Sequence, residues 1–198
     1  VIKDLIKNWK KYCINDKFIG LGSTRKVYRL GNYAVKVNVH SIGYEQSMRE
    51  LNIYYYMKQT NYEHLFAPTY FVDENICIQK YFNPLPMYDD QTFVINEQDG
   101  FWSMPSLMKE CLEILDSEYD AFDLKDSSNY GVNEKQELVF IDYGMSKKLY
   151  NQKWVPAAER GEIPQIEIHN CDVCGMKKEI RMYGNKDTEI RCITCGKE

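Results

Sequence analysis

The sequence predicts an α+β protein with an antiparallel sheet, one prominent helix, a shorter helical portion and a small C-terminal cysteine module. Three observations carry this. Residues 17–39 read as three short strands: 17–22 leads into a glycine turn, 26–30 returns, and Gly31-Asn32, both of which tolerate positive φ, turns the chain into 33–39. Residues 41–59 then place Tyr44, Met48, Leu51 and Tyr55 at helical spacing. Near the end, Cys171-x2-Cys174 is followed after seventeen residues by Cys192-x2-Cys195.

The elements follow in order. Residues 2–12 carry Ile2, Leu5, Ile6 and Trp9 on one face, with lysines elsewhere. This predicts a helix packing on the following domain, ahead of a membrane-surface or partner helix. After the meander and its helix, residues 66–72 and 76–81 read as a further strand pair, turning at Asp73-Glu74-Asn75. Asn83-Pro84-Leu85-Pro86 breaks the chain and marks a boundary. Residues 104–119 are expected to be helical, started by Ser103 and Pro105. A strand is expected at 137–141, and a linker at 151–166, where two prolines and a glycine leave little periodicity. The domains are therefore 1–83, 84–150, the linker 151–166 and the cysteine module 167–198.

Bulk composition narrows the function classes. The 198 residues suit one medium domain, or a smaller one with an appended module. A net charge of −4 supplies no basic field for nucleic acid. No apolar run approaches the roughly 20 residues of a membrane span. The N-terminus shows no apolar stretch before a small-residue cleavage site, so no signal peptide is expected. Four of the seven cysteines fall in metal spacing and Cys13, Cys77 and Cys111 stand alone, which predicts a cytoplasmic protein rather than a disulfide framework.

The polar residues define a chemistry. Glycines in a strand–turn–strand let backbone approach phosphate oxygens, a job that fits Gly20 and Gly22. Lys36 sits within the apolar strand Ala34-Val35-Lys36-Val37, one hairpin beyond that turn, so its ammonium can reach back beneath it. A buried Lys needs an acidic partner. Glu50 on the next helix is the first candidate and Glu45 the second. Further on stand Asp123-Leu124-Lys125, Asn129 and Ile141-Asp142-Tyr143-Gly144. A carboxylate and an amide are hard oxygen donors of the kind magnesium takes alongside phosphate and water.

In this order and context the chain resembles the protein kinase-like fold, over residues 17–149. Ile-Asp-Tyr-Gly resembles the metal-binding D-F-G, and Asp123-Leu124-Lys125 resembles the catalytic loop, with Ala121-Phe122 in place of His-Arg. Asn129 precedes Asp142 by thirteen residues, as the family's metal-binding Asn precedes its Asp. The resemblance implies two lobes, a sheet-rich 1–83 and a shortened helical 84–150. It implies an ATP- and magnesium-dependent phosphotransferase, most simply a minimal protein kinase acting on a protein hydroxyl, Ser/Thr before Tyr. By it, Asp123 orients or deprotonates the acceptor, Lys36 pairs the phosphates and Glu50 anchors Lys36. Asn129 and Asp142 hold Mg²⁺. Gly20, Gly22, Val27, Ala34 and Tyr81 line the nucleotide, Tyr81 through hinge backbone groups.

The departures keep alternatives open. Arg25 replaces the third glycine of G-x-G-x-x-G. Asp123 to Asn129 spans six residues where the family has five, and Asp126 is a second candidate base. Only 28 residues separate Asp142 from Cys171, and none reads as A-P-E. A pseudokinase or nucleotide-binding scaffold, a small-molecule kinase, and a nucleic-acid-associated regulator stand as alternatives.

The four-cysteine spacing is that of a closed structural zinc site, with Cys171, Cys174, Cys192 and Cys195 as ligands. It resembles a zinc ribbon, with a hairpin of 179–183 and 188–191 about Gly184-Asn185. His169 reads as a surface residue. Residues 165–198 carry six basic and six acidic side chains, so docking a protein or completing the core is favoured over binding nucleic acid.

Overall fold

The computed structural model describes residues 1–88, 91–95 and 104–197. The chain opens with helix α1 (Ile2–Tyr12) and the strands β1 (Phe18–Leu21), β2 (Arg25–Leu30) and β3 (Tyr33–Asn38). Helix α2 (Ser41–Met57) follows, then β4 (Thr69–Val72) and β5 (Ile76–Lys80). The five strands form one antiparallel sheet in the order β1-β2-β3-β5-β4. Because β3 is central, Lys36 is flanked by Val27 on β2 and by Cys77 on β5.

Alternation along the strands sorts the two faces of this sheet. Val35, Ile76 and Ile78 turn to one side and bury against Leu5 of α1, with Ile2, Ile6 and Trp9 alongside. The apolar stripe of α1 is therefore spent inside the protein. Lys36, Cys77 and Gln79 turn to the other side, toward Glu50 of α2. The first half of α2 thus covers a polar sheet face, while Ile53, Tyr54 and Met57 of its second half enter the main apolar core.

That core lies beyond the sheet. It gathers α3 (Ser106–Tyr119), through Met108, Cys111 and Leu115, and the aromatics Phe66, Tyr130, Phe140 and Tyr143. Two of these aromatics come from a small sheet of β6 (Asn83–Pro84), β7 (Tyr130–Val132) and β8 (Leu138–Phe140). Ser103 lies outside the described residues, and Pro105 occupies the helix-capping position of α3. Asp120 closes α3 in the left-handed conformation, at φ 52°.

Two expectations are corrected. Residues 151–166 are not an irregular linker: α4 (Lys147–Leu149), a π-helical turn (Tyr150–Trp154) and α5 (Val155–Glu159) run on without a break. Pro156 lacks an N–H inside this continuous run, and it sits where the π-helical turn, closed by the Val155 N–H on the Tyr150 carbonyl, gives way to α5. Ala157, Ala158 and Ile163 are buried with Ile42 of α2. In the cysteine module, the hairpin pairs β9 (Gln165–Asn170) with β10 (Lys177–Met182). Residues 188–191 form no strand; Ile190 packs into the cluster that holds Ile180 and Met182, and the following Cys192 makes an isolated bridge to Ile180.

Backbone approach on the polar face of α2 is close enough to demand glycine twice. A Cβ on Gly43 would meet the Thr24 carbonyl oxygen at 2.6 Å, and a Cβ on Gly144 would overlap the Gln46 carbonyl. Gly20 has open space around it. Gly144→Ala should therefore lower stability by about 1–3 kcal/mol through overpacking. Gly20→Ala should stay within about 1 kcal/mol of wild type. Urea unfolding of both variants checks this, and equal losses would contradict the packing described.

Candidate functional site

The polar face between the sheet and α2 carries a buried charge cluster. Lys36 Nζ donates to Glu50 Oε1 and Oε2 at 2.9 and 3.0 Å, and to the Ile141 carbonyl at 2.7 Å. Glu50 is fully buried and also accepts from Gln79 Nε2 at 3.0 Å. Glu45, the second candidate, lies on the exposed side of α2 and pairs with Lys153 at 2.7 Å. Burial pushes the Glu50 carboxyl above its ordinary value, against the pull of Arg25 and then Lys36. Burial, then Glu50 itself, push the Cys77 thiol up to about 12, so it stays a neutral donor.

Arg25 completes the cluster, a role that sequence reading missed. Its Nη1 meets Glu50 Oε1 at 2.9 Å and its Nη2 meets Asp142 Oδ1 at 2.6 Å. The side chain is 3% exposed. Strand register held the signal: Val27 lies opposite Lys36, so Arg25, two residues earlier on β2, shares that face. Burial alone would raise the Asp142 carboxyl, but Arg25 and then Lys36 outweigh it and hold the group well below the usual carboxylate range.

The segment 141–144 is fastened on both sides of Asp142. The backbone N–H groups of Ile141 and Asp142 donate to the Asn129 carbonyl at 2.8 and 3.3 Å. Tyr143 is buried, and its hydroxyl donates to the Ala67 carbonyl at 2.9 Å and lies 3.1 Å from Thr69 Oγ1. Arg49 Nε donates to the Gly144 carbonyl at 3.0 Å, and the same guanidinium reaches the Tyr119 carbonyl.

Asp123 and Asn129 belong to one loop. Asn129 Nδ2 donates to the Asp123 carbonyl at 2.6 Å, and Asp123 adopts φ 60° in the left-handed region. Burial, then Asp126 and Asp142, push the Asp123 carboxyl up to about 6. Asp126 is occupied locally, accepting the Ser128 N–H at 2.8 Å as a cap. The loop is backed by an extended stretch: Ile95 N–H donates to the Lys125 carbonyl at 2.8 Å, and Ser127 N–H to the Phe93 carbonyl at 2.8 Å.

The remaining predicted residues surround the sheet end of the site. Gly20 is on β1 opposite Val27, and Gly22 closes the turn, its N–H donating to the Arg25 carbonyl at 2.9 Å. Ala34 lies on β3 opposite Gln79. Tyr81 follows β5; its N–H is taken by the Asn32 carbonyl at 2.9 Å, and Arg29 stacks on its ring at 4.2 Å.

The second cluster is at the C-terminus. The Sγ atoms of Cys171, Cys174, Cys192 and Cys195 lie within 4.8 Å of one another. A tetrahedral four-thiolate zinc site, with Zn–S of about 2.3 Å, needs S···S separations of about 3.8 Å, so this donor set fits zinc with a small contraction. Hydrogen bonding to backbone N–H groups, Cys174 first and then Cys192, draws the Cys171 thiol down to about 6. The opposite shift at Cys195, up to about 12, arises first from its hydrogen bond with Cys192. Crowded thiols thus share protons that a cation would displace. His169 stands apart, its Nε2 on Glu167 at 2.8 Å.

No family model matches the chain, and no curated protein matches it. Among the described residues, no helix is long and apolar enough to cross a membrane.

Removing the Glu50 carboxylate should strip buried Lys36 of its counter-ion and leave buried Arg25 with Asp142 alone. Glu50→Ala is expected to cost about 3–5 kcal/mol. Glu45→Ala, which opens a largely exposed pair, should cost less than about 1 kcal/mol. Denaturant midpoints of the two variants check this, and similar midpoints would contradict it.

Proposed function

We propose that the chain is a minimal protein kinase-like phosphotransferase, using ATP and magnesium to phosphorylate a protein hydroxyl. One observation carries the reading: the Lys36–Glu50 pair reaches the backbone at Ile141, directly before Asp142, with Lys36 in register with Val27 and, one strand further, Gly20. On this reading the five-stranded sheet with α2 is one lobe, and α3 with β7, β8 and their loops is a shortened second lobe.

Each residue then has a task. Lys36, held in place by Glu50, pairs the ATP phosphates. Gly20 and Gly22 let backbone approach them, which accounts for two glycines without a positive φ and, at Gly20, without a steric reason inside the chain. Asp142 and Asn129 supply hard oxygens for magnesium. When bound, that ion offsets charge on the phosphates. Val27 and Ala34 flank the base, with the Tyr81 backbone at the hinge. Asp123 receives the acceptor's proton as the acceptor oxygen bonds to the γ-phosphorus and the β–γ bridging P–O bond breaks. ADP leaves with that bridging oxygen.

Incubation of the purified protein with γ-labelled ATP, Mg²⁺ and cell extract tests this. Label should appear on protein, and not with Asp142→Ala. Asp123→Ala should bind ATP but turn over at least about a hundredfold more slowly. A base must be deprotonated, so turnover should fall as pH drops through a limb at or below about 6, since magnesium on Asp142 removes one of the charges that raise Asp123. A limb unchanged in a residually active Asp123→Asn would remove Asp123 from that role.

A second reading is a nucleotide-binding scaffold without transfer. The Arg25–Asp142 ion pair favours it, because a guanidinium occupies the carboxylate that metal would use. Magnesium-independent ATP binding with no label on protein would select it.

The cysteine module is read as a zinc ribbon. Native mass spectrometry should find one zinc per chain, lost in Cys171→Ser. Zinc-free wild-type protein purified without chelator would contradict the assignment.

A further inference from the structure

β10 has two faces with different partners. Ile180 is fully buried and packs with Cys171 and Cys192, so this side of the strand is built on the cysteine cluster. Glu179 and Arg181, on either side of it, point the opposite way. The guanidinium of Arg181 forks over the glycine turn: Nη1 and Nη2 donate to the Leu21 carbonyl at 3.1 and 3.0 Å, and Nη2 donates to the Gly22 carbonyl at 2.7 Å. Arg181 is 5% exposed there. Glu179 Oε1 accepts the Thr92 N–H at 3.0 Å. Thr92 begins the stretch whose next residues, Phe93 and Ile95, back the Asp123 loop. One strand of the cysteine module therefore touches both the glycine turn and the support of the Asp123 loop, from opposite ends of the sequence.

We propose that the cysteine module is a working part of the nucleotide site, with Arg181 as the positioning residue that holds the glycine turn. The proposal rests on the phosphotransfer reading for its functional consequence, though not for the contact itself. The peptide plane explains how the hold acts. Carbonyl and N–H of one trans peptide point in opposite directions. Pinning the Gly22 carbonyl on Arg181 fixes the Ser23 N–H on the other side of that plane. Pinning the Leu21 carbonyl likewise fixes the Gly22 N–H, which reaches the Arg25 carbonyl. A glycine turn is otherwise costly to order, because glycine loses more freedom than any other residue. Arg181 orders it before the ligand arrives. Arg is suited to this: its planar fork spans two acceptors, which the point charge of Lys does not. The thiolate centre holds β10 from its other face, so loss of zinc should release Arg181 and loosen the turn.

Hydrogen–deuterium exchange on the full zinc-loaded chain tests the hold without any nucleotide. In Arg181→Ala, the Gly22 amide should exchange about tenfold faster, while amides of β3 and β5 stay as protected as in wild type. Arg181→Lys should give a smaller increase. Chelating the zinc from wild type should reproduce the Arg181→Ala pattern at Gly22. Unchanged Gly22 exchange in Arg181→Ala, or loss spread equally over β3 and β5, would overturn the proposal.

The functional arm is read separately. The KM for ATP should rise about tenfold in Arg181→Ala, with a smaller change in kcat, and Arg181→Lys should recover part of it. Tighter ATP binding in Arg181→Ala would make the module a blocking lid and overturn the positioning role. A wild-type protein that binds no nucleotide would instead defeat the phosphotransfer reading, leaving the exchange result to decide the hold.

Discussion

The structure depends on one buried carboxylate. Glu50 has no exposure to solvent and accepts hydrogen bonds from Arg25 on β2, Lys36 on β3 and Gln79 on β5. Three strands and helix α2 therefore meet at one side chain. Its two cations continue outward, Lys36 to the Ile141 carbonyl and Arg25 to Asp142. The group of four is charge-balanced, with two cations and two carboxylates. Such a cluster is a poor way to gain stability, because desolvation consumes most of the attraction, and well-packed apolar residues would serve as well or better. Breaking it is costly all the same. A fold that keeps a polar centre here keeps charged groups aimed at a fixed place.

That place is the segment 141–144. It receives one cation from β2 and one from β3, and it is locked from behind by Asn129, Tyr143 and Arg49. Gly144 lets it press against α2. Phosphoryl transfer asks for little covalent work from a protein and much positioning of charge. On the proposed reading, Lys36, Asp142 and the Asp123–Asn129 loop, all tied through backbone contacts, would supply that positioning. Arg25 adds a constraint of its own. It occupies Asp142, so on the proposed phosphotransfer reading a metal would have to take a carboxylate oxygen from a guanidinium that retains Glu50 as a second partner.

The sheet, both of its covering helices and the Lys36–Glu50 pair were legible because they obey simple periods. Alternation in β2 and β3, the Gly31-Asn32 turn and the stripe of α1 leave few other solutions. The small strands β6 and β7 are two and three residues long, too short for any period to show. Arg25 was noticed only as a glycine out of place; its side chain needed strand register, which pairs it with Lys36's face, to be seen as a partner of Asp142. The ribbon hairpin was misassigned although β9 alternates Ile166 and Ile168 with polar residues. Both isoleucines are exposed, and the nearby Pro164 and Gly161 mimic a linker. Arg181 could not have been found from sequence, because its contact joins residues 160 positions apart and depends on where the module docks.

A crystal structure with a non-hydrolysable ATP analogue and Mg²⁺ tests the central claim most directly. The account predicts phosphate oxygens within salt-bridge reach of Lys36 Nζ, with Lys36 still paired to Glu50. It predicts the metal on Asp142 and Asn129, with Arg25 displaced from Asp142 yet retaining Glu50. An analogue bound elsewhere, or phosphates beside a Lys36 that has left Glu50 while Arg25 still covers Asp142, would contradict it.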